Sequence, residues 1–201
     1  MSPPSVPAIV FLTAAFLSGC VRDAYSQDAS PPLTLESTIE LPGVDGRIDH
    51  MVVDLDHHRL FVAALENGTV EVVDLDKGKV TGRIGNLREP QGLAYLASSN
   101  ELVVATGDGT VRFYRADDLV QSGDIKLGDD ADNVRIDPTT GSVVVGYGNG
   151  ALAVIDPVSR RLSGTIALSA HPESFQIDQV GRMPSSTCLA PARLRWLISR
   201  P

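Results

Sequence analysis

Positive charge is scarce in this chain: 17 Lys and Arg stand against 25 Asp and Glu, a formal charge of −8. The basic surface needed for nonspecific binding to nucleic acid or to an anionic membrane is therefore missing. Cysteine occurs twice, at Cys20 and Cys188. If Cys20 is modified, no internal disulfide can form, even in an oxidising compartment. Aromatic residues are only 5% of the chain. No stretch repeats its apolar residues at the helical period, which excludes helical repeats. There is no nucleophile elbow, Walker loop, CxxC or HExxH. What remains is an ordinary apolar fraction of 43% in 201 residues, enough for one sizeable or two small domains.

The first apolar run, "VPAIVFLTAAFLSGC", has the length of a signal peptide and is too short and too Pro-flanked to span a bilayer. It ends in Leu17-Ser18-Gly19-Cys20, which resembles the bacterial lipobox. That resemblance implies a lipidated Cys20 as the new N-terminus, with several acyl chains giving stable membrane attachment. The n-region "MSPPSVPA" lacks Lys and Arg, so a plain secretory signal cleaved slightly later is the alternative. Either way the protein is expected to leave the cytoplasm, to the periplasm or as an outer-membrane-anchored lipoprotein of a bacterium. Residues 1–20 thus read as a signal peptide with lipobox, and 21–36 as a polar, Pro-bearing linker.

Beyond the linker the chain repeats. Val70, Val111 and Leu152 are spaced by 41 residues, as are Ile84, Ile125 and Ile166. Each unit carries four short β-branched runs separated by turn signals. Asn67-Gly68, Asp108-Gly109 and Asn149-Gly150 sit between the second and third runs, where they suit a tight primed hairpin. Four antiparallel strands per unit of this length is the arithmetic of a β-propeller blade, whereas a β-sandwich needs no fixed period. The runs "MVVD", "LAYL", "VRID" and "FQID" are expected innermost, and the second and third runs between blades. The charged fourth run is expected outermost, with Lys79, Arg83 and Lys126 blunting its edge. The segment Ser37 to Leu41, "STIEL", resembles an outermost strand, with Ile39 in the part of Ile84; its partner blade is expected to be missing.

The set "GRIDHMVVD", "LFVAALENGTVEVVDL", "EPQGLAY", "DDADNVRID", "VVVGYGNGALAVID" and "HPESFQID" resembles the YncE-like, YVTN-repeat group of bacterial exported β-propellers. The likeness covers about Gly43 to Arg182 and implies a seven-bladed ring with no chemistry assigned to most members. The expected fold is all-β, with residues 37–182 forming a partial β-propeller of three complete blades and part of a fourth.

At Met183 the regularity ends, where the period calls for another strand. A one-base shift of reading frame there is compatible with the tail "AFVNVPGARQIAVVDLAT", whose apolar runs fall under those of the preceding unit. Residues 183–201 are therefore expected to be an out-of-register, poorly ordered ending from a shifted frame. A genuinely divergent tail is the alternative.

Residues just before the innermost strands form two columns: Asp49, Gln91, Asp132 and Glu173, then His50, Asn133 and Ser174. In a propeller this connection opens on the face bearing the central channel. The columns predict a polar, carboxylate-rich ring that favours a cation or a basic ligand. The same side chains could instead cap strand ends and satisfy turn amides. His57 and His58, in a turn on the opposite face, could bind a transition metal or simply be solvated. In "HPES", His171, Glu173 and Ser174 are neighbours, an arrangement that rarely orients as a triad.

The function read from these features is a noncatalytic cell-envelope propeller that binds a small ligand or a protein through Asp49, His50, Gln91, Asp132, Asn133 and Glu173. The sequence names no cofactor, metal or individual partner. It leaves open a propeller-type enzyme, metal-dependent or hydrolytic, at the same ring, and a nonfunctional remnant. Contact with a membrane is expected only through a lipid on Cys20.

Overall fold

The computed structural model describes residues 33–177 and two short strands beyond them, Ser185–Cys188 and Arg195–Trp196. The expected signal peptide and lipobox lie outside the described residues, as do the expected linker up to Pro32 and most of the tail. The chain divides into two compact units, Met1–Glu36 and Ser37–Pro201, and every element below belongs to the second.

Among the described residues all regular elements are strands. The first sheet runs β1 (Ile48–Asp54), β2 (Arg59–Ala64), β3 (Thr69–Asp74) and β4 (Lys79–Ile84), in that order. The second comprises β5 (Pro90–Leu96), β6 (Glu101–Thr106), β7 (Thr110–Arg115) and β8 (Gln121–Lys126). The third comprises β9 (Ala131–Ile136), β10 (Val143–Tyr147), β11 (Ala151–Asp156) and β12 (Arg161–Ala167). All are antiparallel meanders. A three-stranded sheet of β13 (Pro172–Phe175), β14 (Ser185–Cys188) and β15 (Arg195–Trp196) follows. β14 begins 42 residues after β10, so the strand lies close to the repeat register.

Alternation along each middle strand explains why the sheets stack. Successive side chains of a strand point to opposite faces, and all six residues of β6 are buried. Leu102 and Val104 join Phe61, Ala63, Val70 and Val72 of the first sheet in one apolar cluster. Val103 and Ala105 turn the other way, to Val134, Val143, Val145 and Ile155 of the third. Val144, Leu152 and Phe175 repeat the pattern between the third sheet and β13. β5 packs against both β1 and β9, so the first strand of each sheet is the innermost. The residues of the outermost strands β4, β8 and β12 are exposed or half-buried, apart from the buried Ile84.

Arginines fasten neighbouring sheets where the apolar layer ends. Arg59 holds the buried Asp54 through Nε and Nη2, at 2.9 and 2.7 Å, and donates to the Ala116 carbonyl of the second sheet at 2.6 Å. Arg160 of the third sheet donates to Glu101 of the second at 2.6 Å and lies 4.7 Å from the Phe113 ring centroid.

One local expectation is corrected. The Asn-Gly and Asp-Gly turns are not primed two-residue hairpins: Ala64 pairs with Thr69 and Thr106 with Thr110, giving loops of four and three residues. Only the glycine takes the left-handed conformation, Gly109 at φ +73°, where a Cβ would meet the Asp129 nitrogen at 2.4 Å. Asp108 instead accepts from Thr106, the Thr110 amide and Arg112. The Arg112 guanidinium, above all, holds its carboxyl well below the usual range. Ser37 to Leu41 forms no strand, because no described strand offers it a ladder.

Leu102→Ala removes a side chain with no solvent exposure and should destabilise by about 2–5 kcal/mol. Val158→Ala, at a site 90% exposed, should change stability by less than about 0.5 kcal/mol. Urea denaturation of both variants checks the contrast.

Candidate functional site

The beginnings of β1, β5 and β9 lie side by side, and the chain geometry there depends on a residue without a side chain. A Cβ on Gly92 would stand 1.9 Å from the Asp132 carbonyl oxygen and 2.8 Å from Val134 Cγ2. Gly92 occupies, in the second sheet, the column that holds His50 in the first and Asn133 in the third. His50 of the first sheet bonds to Asn133 of the third, with Nε2 and Oδ1 3.1 Å apart.

Four residues converge at this point. Asp49 and Asp132 are largely buried, with side chains 14% and 11% exposed. Asp49 Oδ2 accepts from Arg47 Nη2 at 2.8 Å, and its Oδ1 lies 3.0 Å from His50 Nδ1. That approach is off the hydrogen-bond direction, so the buried Nδ1 has no hydrogen-bond partner. Asn133 Nδ2 donates to Asp132 Oδ2 at 3.2 Å and to the Glu173 carbonyl.

Burial pushes the Asp132 carboxyl up; His50 opposes this, Asp49 adds to it, and His171 and the Asn133 amide oppose it. His171 closes the arc from the third sheet's side. Its Nδ1–H donates to the Gly148 carbonyl at 2.6 Å, and Nε2 stands 3.7 Å from Asp132 Oδ2. Burial disfavours its charge, but the Gly148 carbonyl and the carboxylates of Asp130, Asp132 and Glu173 outweigh that and raise its pKa.

Asp49, His50, Asp132 and Asn133 thus come together. Gln91 reaches the group only indirectly, donating to Asp130 at 3.0 Å. Glu173 contributes its main-chain carbonyl, while the residue itself is exposed. Arg47, Asp130 and Gly92 were not among the residues read from the columns. Arg47 and Asp130 stand two positions before Asp49 and Asp132, a spacing that places like-facing residues at a strand entry.

The histidine pair on the other face does not act as one ligand set. His57 turns Nδ1 to Asp54 and His58 turns Nδ1 to Asp76, each at 2.9 Å. In "HPES", His171 commits Nδ1 to a backbone carbonyl and directs Nε2 to Asp132, which is not the geometry of a base serving Ser174.

No family model and no curated protein matches the chain. Solved structures do. A hydrazine synthase chain of Kuenenia stuttgartiensis aligns at 21% identity and TM-score 0.64, covering 78% of this chain and 46% of that one. The WD40 β-propeller domain of Doa1 aligns at 14% identity and TM-score 0.59, covering 70% and 46%. A chain of the mitotic checkpoint complex aligns at 15% identity and TM-score 0.68, covering 77% and 49%.

The fold is a β-propeller.

At these identities the likeness extends to the fold alone, and the chain spans about half the length of the chains it matches. The four-stranded sheets are its blades, and the converging side chains sit where the inner strands of three blades begin.

Gly92→Ala should force β5 and β9 apart and destabilise the propeller by about 1–3 kcal/mol, the usual consequence of overpacking. The imidazole resonances of His50 should shift in the same variant. Urea denaturation with NMR of the histidine rings checks both; an unshifted His50 at unchanged stability contradicts the role assigned to Gly92.

Proposed function

We propose that this chain is a noncatalytic, exported propeller of the YncE-like type, a binding scaffold of the bacterial envelope that receives a cationic ligand at the mouth of its inner strands. The motif set of the blades supports the family, and the lipobox-like Leu17 to Cys20 supports attachment to the envelope. The observation that carries the ligand reading is the convergence of Asp49, Asp132 and His50, with donor atoms within 4.8 Å of one another. Two carboxylates brought this close out of water repel each other, and a cation placed between them removes the repulsion and replaces lost solvation. Arg47 compensates Asp49 only from the rim, since its own side chain is 60% exposed.

The general ligand class follows from this charge balance: small and positively charged, or a basic group presented by a protein. Binding of such a ligand weakens as salt rises.

Thermal melting of the full chain with a panel of cations tests the reading, using divalent metal chlorides, putrescine and a Lys-Lys dipeptide. At least one cation should raise Tm, and Asp132→Asn should weaken that binding at least tenfold while anions have no effect. A panel without any stabilising cation contradicts the proposal.

A further inference from the structure

Resting on the cation reading above, we infer that the cation is a divalent transition metal, held by His50 Nδ1 and one carboxylate oxygen each from Asp49 and Asp132. Among the described residues these three form the one cluster of potential ligands, with donor atoms within 4.8 Å of one another. Ligands bound at about 2.1 Å stand roughly 3–4 Å apart around an ion, so small side-chain rotations close the set.

The hydrogen-bond geometry around His50 is what selects a metal. Asn133 Nδ2 faces the Glu173 carbonyl and Asp132 Oδ2, both of which accept. The orientation of the amide is thereby set, and its oxygen is left facing His50 Nε2 at 3.1 Å. An amide oxygen accepts and never donates, so Nε2 carries the hydrogen. In the neutral ring Nδ1 then presents a lone pair. That atom is buried, has no hydrogen-bond partner, and lies 3.0 Å from Asp49 Oδ1. A lone pair and a carboxylate oxygen at this distance repel unless positive charge stands between them. A proton on Nδ1 makes only a bent, poor contact with Asp49, because the approach is off the hydrogen-bond direction. An ion displaced toward Asp132 satisfies the nitrogen and both carboxylates together.

The surroundings match what ligand residues need in a second layer of contacts. Asn133 orients the imidazole. Arg47 engages Asp49 through Oδ2, leaving Oδ1 for the ion. Asn133 and His171 both approach Asp132 on Oδ2, leaving its Oδ1. One imidazole with two carboxylates suits manganese, iron, cobalt or zinc, whereas calcium and magnesium favour oxygen ligands alone.

Isothermal titration of the EDTA-treated full chain with zinc or manganese chloride should give one ion per chain. His50→Gln and Asp132→Asn should each weaken binding at least tenfold, and Asn133→Ala by about 10–100-fold. His57→Ala should leave it unchanged. Because a variant could misfold, 15N NMR of the unmodified protein supplies a second reading: zinc should shift His50 Nδ1 far more than Nε2. No stoichiometric zinc or manganese, or binding that is indifferent to His50, overturns the inference. If an amine binds through Asp49 and Asp132 while no metal does, the metal assignment falls and the cation reading stands; if no cation binds, both fall.

Discussion

A Cβ at position 92 would stand 1.9 Å from the Asp132 carbonyl oxygen, so the second and third blades can meet at their inner ends only with glycine there. That single missing side chain couples the fold to the site. It lets β5 and β9 approach, and in the same columns His50 of the first blade reaches Asn133 of the third. Each blade contributes one position per column, and at position 92 the second blade contributes no side chain, which lets its inner strand approach that of the third.

The same economy of position governs the rest of the packing. A blade sheet has two faces and must bury both, so its middle strands carry apolar residues on both faces, with the polar residues mostly at their ends. β6 shows this most fully, serving two clusters with adjacent residues. Where the apolar layer ends, polar contacts take over: Arg59, held by Asp54 of its own blade, reaches the Ala116 carbonyl beside the second blade, and Arg160 reaches Glu101 of the second blade from the third. Partly buried charged hydrogen bonds of this kind contribute about 1.5–3 kcal/mol each.

Much of this was legible because the repeat converts position into geometry. Residues 41 apart, such as Val70, Val111 and Leu152, occupy equivalent places in successive blades, so their burial could be read directly. Asp49, His50, Asp132 and Asn133 fell into columns for the same reason, and the structure places them together. Other features resisted. Asn67 and Asp108 looked like halves of a primed turn because pair identity does not reveal loop length, which the strand register sets. Ser37 to Leu41 has a strand-like composition, but a strand exists only with a ladder partner. Gly92 was invisible as a site residue, since a gap in a column of polar side chains reads as an interruption. Arg47 and Asp130 act from the approaches to the strands, where the period is weakest. Glu173 sat in the right column, yet it serves through its main chain, which no side-chain pattern records.

The account therefore turns on a contact between two residues that are 83 positions apart and belong to blades that are not neighbours. A double-mutant cycle of His50→Ala and Asn133→Ala, measured by urea denaturation of the metal-free protein, tests it most directly. The account predicts a coupling free energy of about 0.5–3 kcal/mol between the two sites. Additive losses, with a coupling below about 0.3 kcal/mol, would show that the inner ends of the first and third blades do not meet.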